Sequence, residues 1–277
     1  FSVGTYTGTY SSQPSSLATV GHGLNGKVPG MIISKSTNGT SNWHVWHKAL
    51  DNDEYIRLNS TNGKATLSTG AGGSIATAPT GSVFPTYYIG GSNNGSSDNL
   101  VFYCFADVPG YQRISSFIGN GSDSGPTVVC GFKPRFVLLK NVTDSGDDWK
   151  IYDSERDPIF VSGVNQLVLT PNSSSQELGN KGVEFTASGF TVKDSNNSIN
   201  GSGDTIAYLA IGDDEIGSDE DCLVDVPNAV TADADATDTT SGYQRGNYAT
   251  LNAVDHNGGT LSNGNLKITT TGASNVS

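Results

Sequence analysis

The chain repeats itself. Pro29-Gly-Met-Ile-Ile-Ser-Lys35 returns as Pro134-Arg-Phe-Val-Leu-Leu-Lys140, and Trp43-His-Val-Trp46 returns as Trp149-Lys-Ile-Tyr152. Tyr6-Thr7-Gly8 matches Phe117-Ile118-Gly119. The longest match sets Asn94-Gly-Ser-Ser-Asp-Asn-Leu-Val-Phe-Tyr-Cys-Phe-Ala106 against Asn200-Gly-Ser-Gly-Asp-Thr-Ile-Ala-Tyr-Leu-Ala-Ile-Gly212. The matches keep one order, with offsets of 105, 106 and 111 residues. Such ordered self-similarity marks a duplicated structural unit, and the drift in offset places insertions in loops.

Each copy reads as short strands. Met31–Ser34 and Phe136–Leu139 are continuous apolar runs, as expected of strands buried on both faces. Trp43/Val45, Trp149/Ile151, Ile56/Leu58 and Leu167/Leu169 alternate, which suits half-buried strands. Leu100–Phe105 and Ile206–Ile211 close the two copies. Asn-Gly pairs begin at positions 25, 38, 62, 94, 120, 200, 257 and 263, where positive φ angles are expected to serve tight turns. No helical apolar period lasts three turns. The expectation is an all-β fold of two tandem antiparallel β-sandwich modules, jelly-roll or lectin-like, each of about 100 residues. Repeat 1 spans 1–110 and repeat 2 spans 111–213. Residues 214–277 read as an acidic linker and a partial β segment leading toward a further domain.

Charge narrows the partners. The formal net charge is -12, yet residues 1–212 carry 13 basic and 16 acidic side chains. The acidity gathers between Asp213 and Asp238, where ten acids stand without a Lys or Arg. A phosphate backbone would be repelled, so nucleic acid is excluded as a partner. No stretch approaches the roughly 18 apolar residues of a membrane span. Three cysteines (Cys104, Cys130 and Cys222) do not make a disulfide scaffold, and Cys104 reads as a small buried hydrophobe. The chain opens at Phe1 in mid-pattern without a visible signal peptide, which reads as a fragment or processed piece.

The candidate chemistry is sparse. His44 and His47 stand i and i+3 on a strand and so face opposite sides, and their counterparts are Lys150 and Asp153. His22 reads as a loop residue. Asp219, Asp221, Asp233 and Asp235 could ligate calcium through several carboxylates. The 233–238 stretch, however, lacks the calcium-loop glycine at its sixth position, and Gln244 stands where the bidentate Glu belongs. A solvated linker is the favoured reading, with calcium kept as the alternative. Asp98 and Asp204 are repeat equivalents, each following Asn-Gly-Ser before a closing strand, and read as turn residues rather than a hydrolytic pair. No G-x-S-x-G, H-E-x-x-H or P-loop pattern occurs, so no enzyme is expected. Trp43, Trp46, Trp149, Tyr87, Tyr88 and Tyr103 could stack on sugars, and Trp46, Tyr87 and Tyr88 are the glycan candidates. Equivalence of Trp43 with Trp149 favours a core role for both. Nine Asn-x-Ser/Thr sequons reflect loop composition.

Several motifs carry a resemblance. Gly21-His-Gly-Leu, Asn42-Trp-His-Val-Trp-His-Lys48 and Leu100-Val-Phe-Tyr-Cys-Phe-Ala-Asp-Val-Pro-Gly-Tyr111 resemble a domain repeated in virion proteins of marine tailed bacteriophages. Gly131-Phe-Lys-Pro-Arg-Phe-Val-Leu-Leu-Lys140 resembles the same module. Asp225-Val-Pro-Asn228, Arg245-Gly-Asn-Tyr-Ala-Thr-Leu-Asn252 and Thr260-Leu-Ser-Asn-Gly-Asn-Leu266 resemble the linker that often precedes a concanavalin-like SPRY domain. The resemblance implies a tail-fibre or capsid or tail appendage protein on the virion surface, assembled in the host cytoplasm. It acts there as spacer and host-surface binder, with other virion proteins and a surface glycan or receptor as partners. A homo-oligomer, a trimer by preference, is the expected state. The alternatives are a carbohydrate-binding module of a secreted protein and, behind it, a polysaccharide depolymerase.

Overall fold

The computed structural model describes residues 1–9, 18–66, 77–86, 95–156, 166–180 and 182–212, with strand residues 259–262 and 265–268. Short apolar runs broken by Gly, Asn, Ser and Pro favour strands, and the all-β expectation holds. Repeat 1 supplies β1 (Ser2–Thr7), β2 (Thr19–Gly21), β3 (Met31–Ser36), β4 (His44–His47), β5 (Glu54–Arg57), β6 (Ala65–Thr66), β7 (Val83–Pro85) and β8 (Asn99–Phe105). Repeat 2 supplies β9 (Gln112–Ile118), β10 (Thr127–Val129), β11 (Pro134–Asn141), β12 (Lys150–Asp153) and β13 (Gln166–Val168). It continues through β14 (Leu178–Asn180), β15 (Val183–Thr186), β16 (Gly189–Val192), the single-turn α1 (Asn197–Asn200) and β17 (Thr205–Gly212). Phe1–Asp213 forms one compact unit and Asp214–Ser277 a second. In the second, β18 (Gly259–Ser262) pairs antiparallel with β19 (Asn265–Ile268).

The duplication survives at the level of strand register. The main sheet of repeat 1 has the order β1-β8-β3-β4-β5-β6, and that of repeat 2 runs β9-β17-β11-β12. Ile32 faces Cys104 and Trp46 across its two ladders. Val137 faces Ala210 and Tyr152 at the equivalent points. Tyr6 pairs with Leu100 as Phe117 pairs with Ile206. A small second sheet covers the outer face of each main sheet, joined through Val20–Phe84 in repeat 1 and Val128–Phe190 in repeat 2. Each repeat is therefore a two-layer antiparallel sandwich.

Three cores result. Leu24, Ile32, Trp46, Phe84, Phe102 and Cys104 fill the repeat 1 sandwich. Val137, Leu139, Tyr152, Val183, Phe190 and Tyr208 belong to the repeat 2 sandwich. The third core lies between the repeats, where Met31, Val45 and Ile56 meet Ile114, Leu138, Trp149, Ala207 and Leu209. Alternation explains the split, because successive residues of one strand serve opposite faces. Met31 and Leu138 look inward to the sister repeat, while Ile32 and Val137 look outward. The runs expected to be buried on both faces are so buried, and the second face is covered by the other copy.

Polar groups latch the repeats together. Lys140, wholly buried, donates through Nζ to Thr61 O at 3.1 Å and Asp147 O at 2.6 Å. Burial lowers its pKa to about 8. Lys64 N donates to Val142 O and Gly146 N to Thr61 O. Gly63 sits here because an added Cβ would lie 2.7 Å from Asp144 O, and its φ is not positive. Among the described Asn-Gly pairs, positive φ occurs at Asn25, Gly26 and Gly121, whereas Gly63 and Gly201 answer close approach instead. At the joint between repeats, Asp107 accepts from Ile114 N at 2.7 Å and binds Lys48 at 2.5 Å.

His47 lies between the main sheets. Its Nδ1 accepts from Ala49 N at 3.0 Å, which leaves Nε2–H to donate to Tyr208 O of repeat 2 at 3.2 Å. Both ring nitrogens are used by the neutral form, and burial lowers the pKa to about 4. The unfolded imidazole titrates near 6.5, so the unfolded chain takes up the extra proton between those values. Stability is complete above the unfolded pKa and falls as pH drops toward 4, by about 3 kcal/mol for a shift of this size. Urea denaturation at pH 7 and pH 5 measures this: His47→Leu flattens the slope, and an unchanged slope refutes the assignment. Because the repeats share a core, residues 1–213 melt in one calorimetric transition. Met31→Ala lowers that transition by about 2–5 kcal/mol without splitting it.

An aromatic groove between the repeats as the candidate functional site

Sequence equivalence places Trp43 and Trp149 at the same point of their repeats. Trp43 N donates to Asn59 Oδ1 at 3.0 Å, and Asn59 Nδ2 donates to Asn42 Oδ1 at 2.9 Å. Trp149 N donates to Asn172 Oδ1 at 2.8 Å, and Asn172 Nδ2 donates to Asp148 Oδ1 at 2.8 Å. The same amide clamp thus holds both tryptophans. Their surroundings differ. Trp149 is 3% exposed and its Nε1–H donates to Arg57 O of repeat 1 at 2.9 Å. Trp43 is half-buried and opens onto a groove of about 500 Å³. The inner faces meet asymmetrically, closing over one indole and leaving the other accessible.

The groove floor is apolar, with Ile33, Leu58, Phe105 and Ile211. Its walls are aromatic. Trp43 and Tyr103 have ring centroids 6.3 Å apart at 31°, and Phe1 packs on Phe105 at 4.9 Å. Tyr111, 37% exposed, stands at the joint between the repeats. The turn there is fixed by Gln112 Nε2 donating to Ala106 O at 2.6 Å and by Gly110 at φ +76°. No charged side chain lines the groove.

The residues singled out by sequence fall elsewhere. Trp46 is a correction: at 9% exposed it packs with Ile32, Phe84 and Phe102, so its ring face cannot meet a sugar. Tyr87, Tyr88, Asp219, Asp221, Asp233 and Asp235 lie outside the described residues. His44 and His47 point to opposite faces, His47 to the sister repeat and His44 toward Tyr55 at 5.1 Å. Burial lowers the His44 pKa to about 4. Among the described residues no cluster of three His, Cys, Asp or Glu could hold a metal. His22, read as a loop residue, is in a loop yet buried, donating through Nε2–H to Thr80 O at 2.9 Å and accepting from Leu24 N at Nδ1. Burial pushes the Cys104 and Cys130 thiols up to about 12 and 11, and both are free.

Asp98 and Asp204 are turn residues, with backbone N–H groups donating to Gly95 O and Gly201 O. Asp204 is further tied up, since Asn141 Nδ2 lies within 2.9 Å of Asp204 Oδ2 and Asn197 O and 3.2 Å of Asp147 Oδ2. The amide occupies the point where three acceptors converge. Asn141 and Asn200 are both fully buried, so these two sequons are not presented to solvent in the folded chain.

Residues 1–214 match a family described as a domain of unknown function, DUF7483. The chain belongs to this family. The match spans both repeats, in agreement with a single compact unit over Phe1–Asp213. No curated protein and no solved structure gives a match.

Within this DUF7483 unit, sequence reasoning gathered Trp43 and Tyr103 among its aromatic residues but assigned Trp43 to the core. Tyr111 gave no signal, because its exposure depends on how the joint turns. The two tryptophans separate by mutation: Trp149→Ala costs about 3–5 kcal/mol, in the range for a buried aromatic, and Trp43→Ala costs less than half of that. Parallel denaturant melts check this, and equal losses would mean that both indoles are core.

Proposed function

We propose that the chain is a non-catalytic structural and adhesion component of a virion surface. The observation that carries this reading is the half-buried Trp43, which with Tyr103 and Tyr111 presents aromatic surface at an accessible groove. The groove supports the same reading, since its lining holds no carboxylate, imidazole, thiol or amine side chain for bond-making chemistry. Strand β1 is an uncharged sheet edge with Val3 exposed, a feature that assembly with other copies or other virion proteins would cover.

Cryo-EM of intact particles, with antibody raised against residues 1–213, tests the proposal. The expected result is a projecting density labelled by the antibody, and reduced adsorption of labelled particles to host cells. Particles that lack the chain, or adsorption untouched at saturating antibody, would sink it.

A further inference from the structure

We infer that the groove between the repeats is a saccharide site that takes one or two neutral pyranose rings, with Trp43 as the stacking residue. The inference rests on the adhesion reading and deepens it by naming the ligand class. Four observations converge. First, Trp43 is the tryptophan whose sister, Trp149, is enclosed and hydrogen-bonded, so the same clamped indole is core in one repeat and open in the other. Second, no charged side chain lines the groove, so a uronate or an amine would lose its hydration without a counter-charge, and a neutral ring would not. Third, aromatic faces at Trp43, Tyr103 and Tyr111 suit the apolar C–H faces of a sugar. Fourth, the phenols of Tyr103 and Tyr111 and the indole of Trp43 belong to the lining itself and bring polar atoms to the margin of an otherwise apolar floor. An acyl chain or an apolar peptide anchor would satisfy the floor but leave that polar margin unused. The volume of about 500 Å³ falls in the range of small-ligand clefts.

Trp43 also supplies the readout, because Trp46 and Trp149 are buried and an accessible ligand changes the fluorescence of Trp43. The full chain is titrated with neutral glucose-, galactose- and mannose-based disaccharides, with a glucuronate disaccharide and with an anilinonaphthalene dye. Calorimetry runs in parallel. Saturable binding of at least one neutral disaccharide, weakened tenfold or more in Trp43→Ala and in Tyr111→Ala, supports the inference; the second variant keeps the test valid if the first unfolds. Binding of the dye alone, or of the glucuronate sugar in preference to neutral ones, overturns it. Adsorption of the fluorescent chain to bacterial cells is measured beside it. Cell binding that is equal in wild type and Trp43→Ala overturns the groove as the site while leaving adhesion standing. Absence of both sugar and cell binding removes both.

Discussion

The packing of one main sheet on the other is the constraint from which the rest of the structure follows. Met31, Val45 and Ile56 of repeat 1 and Leu138, Trp149 and Leu209 of repeat 2 are buried only because the sister copy lies across them. Each sheet therefore needs two covers, its own small sheet outside and the other repeat inside. This requirement turns a tandem duplication into one body and accounts for the consecutive apolar residues Met31, Ile32 and Ile33 that open β3. The two copies present equivalent faces to one another, as the subunits of an isologous dimer would.

Several interior polar groups in this body find their partners inside it. His47 is neutral and uses both nitrogens, one within its own loop and one across the repeat boundary. Lys140 spends its donors on backbone carbonyls of both repeats. Asn141 holds two carboxylates and a carbonyl apart with a single amide. Buried polar atoms require partners, and here many of those partners belong to the other repeat or to the next loop. The interface is thereby specific in register as well as apolar.

The groove is a consequence of imperfect symmetry. Had the inner faces met evenly, Trp43 would be covered as Trp149 is. Trp149 is enclosed, whereas Ile33, Leu58, Phe105 and Tyr103 line a groove beside Trp43. At the joint, Asp107 is held by Lys48 and by Ile114 N.

Several of the strands and the two-copy organisation were legible in the amino-acid order, whereas the pairing partners were not. Alternation assigns each side chain to a face, and matching residues at a fixed spacing assign each strand to its counterpart. Ile32 and Val137 are matched in this way as counterparts, and the structure adds that they face Cys104 and Ala210. What the sequence could not decide was burial, which depends on what a distant segment places opposite a residue. Trp46 and Trp43 sit three residues apart; sequence reasoning kept Trp46 as a glycan candidate although it aligns with Tyr152 at a packing position, and gave Trp43 a core role. In the fold Trp46 is enclosed with Phe84 and Phe102, whereas Trp43 is half-buried and lines the groove. Face and register are local properties of a strand, whereas exposure is settled only when the two sheets meet.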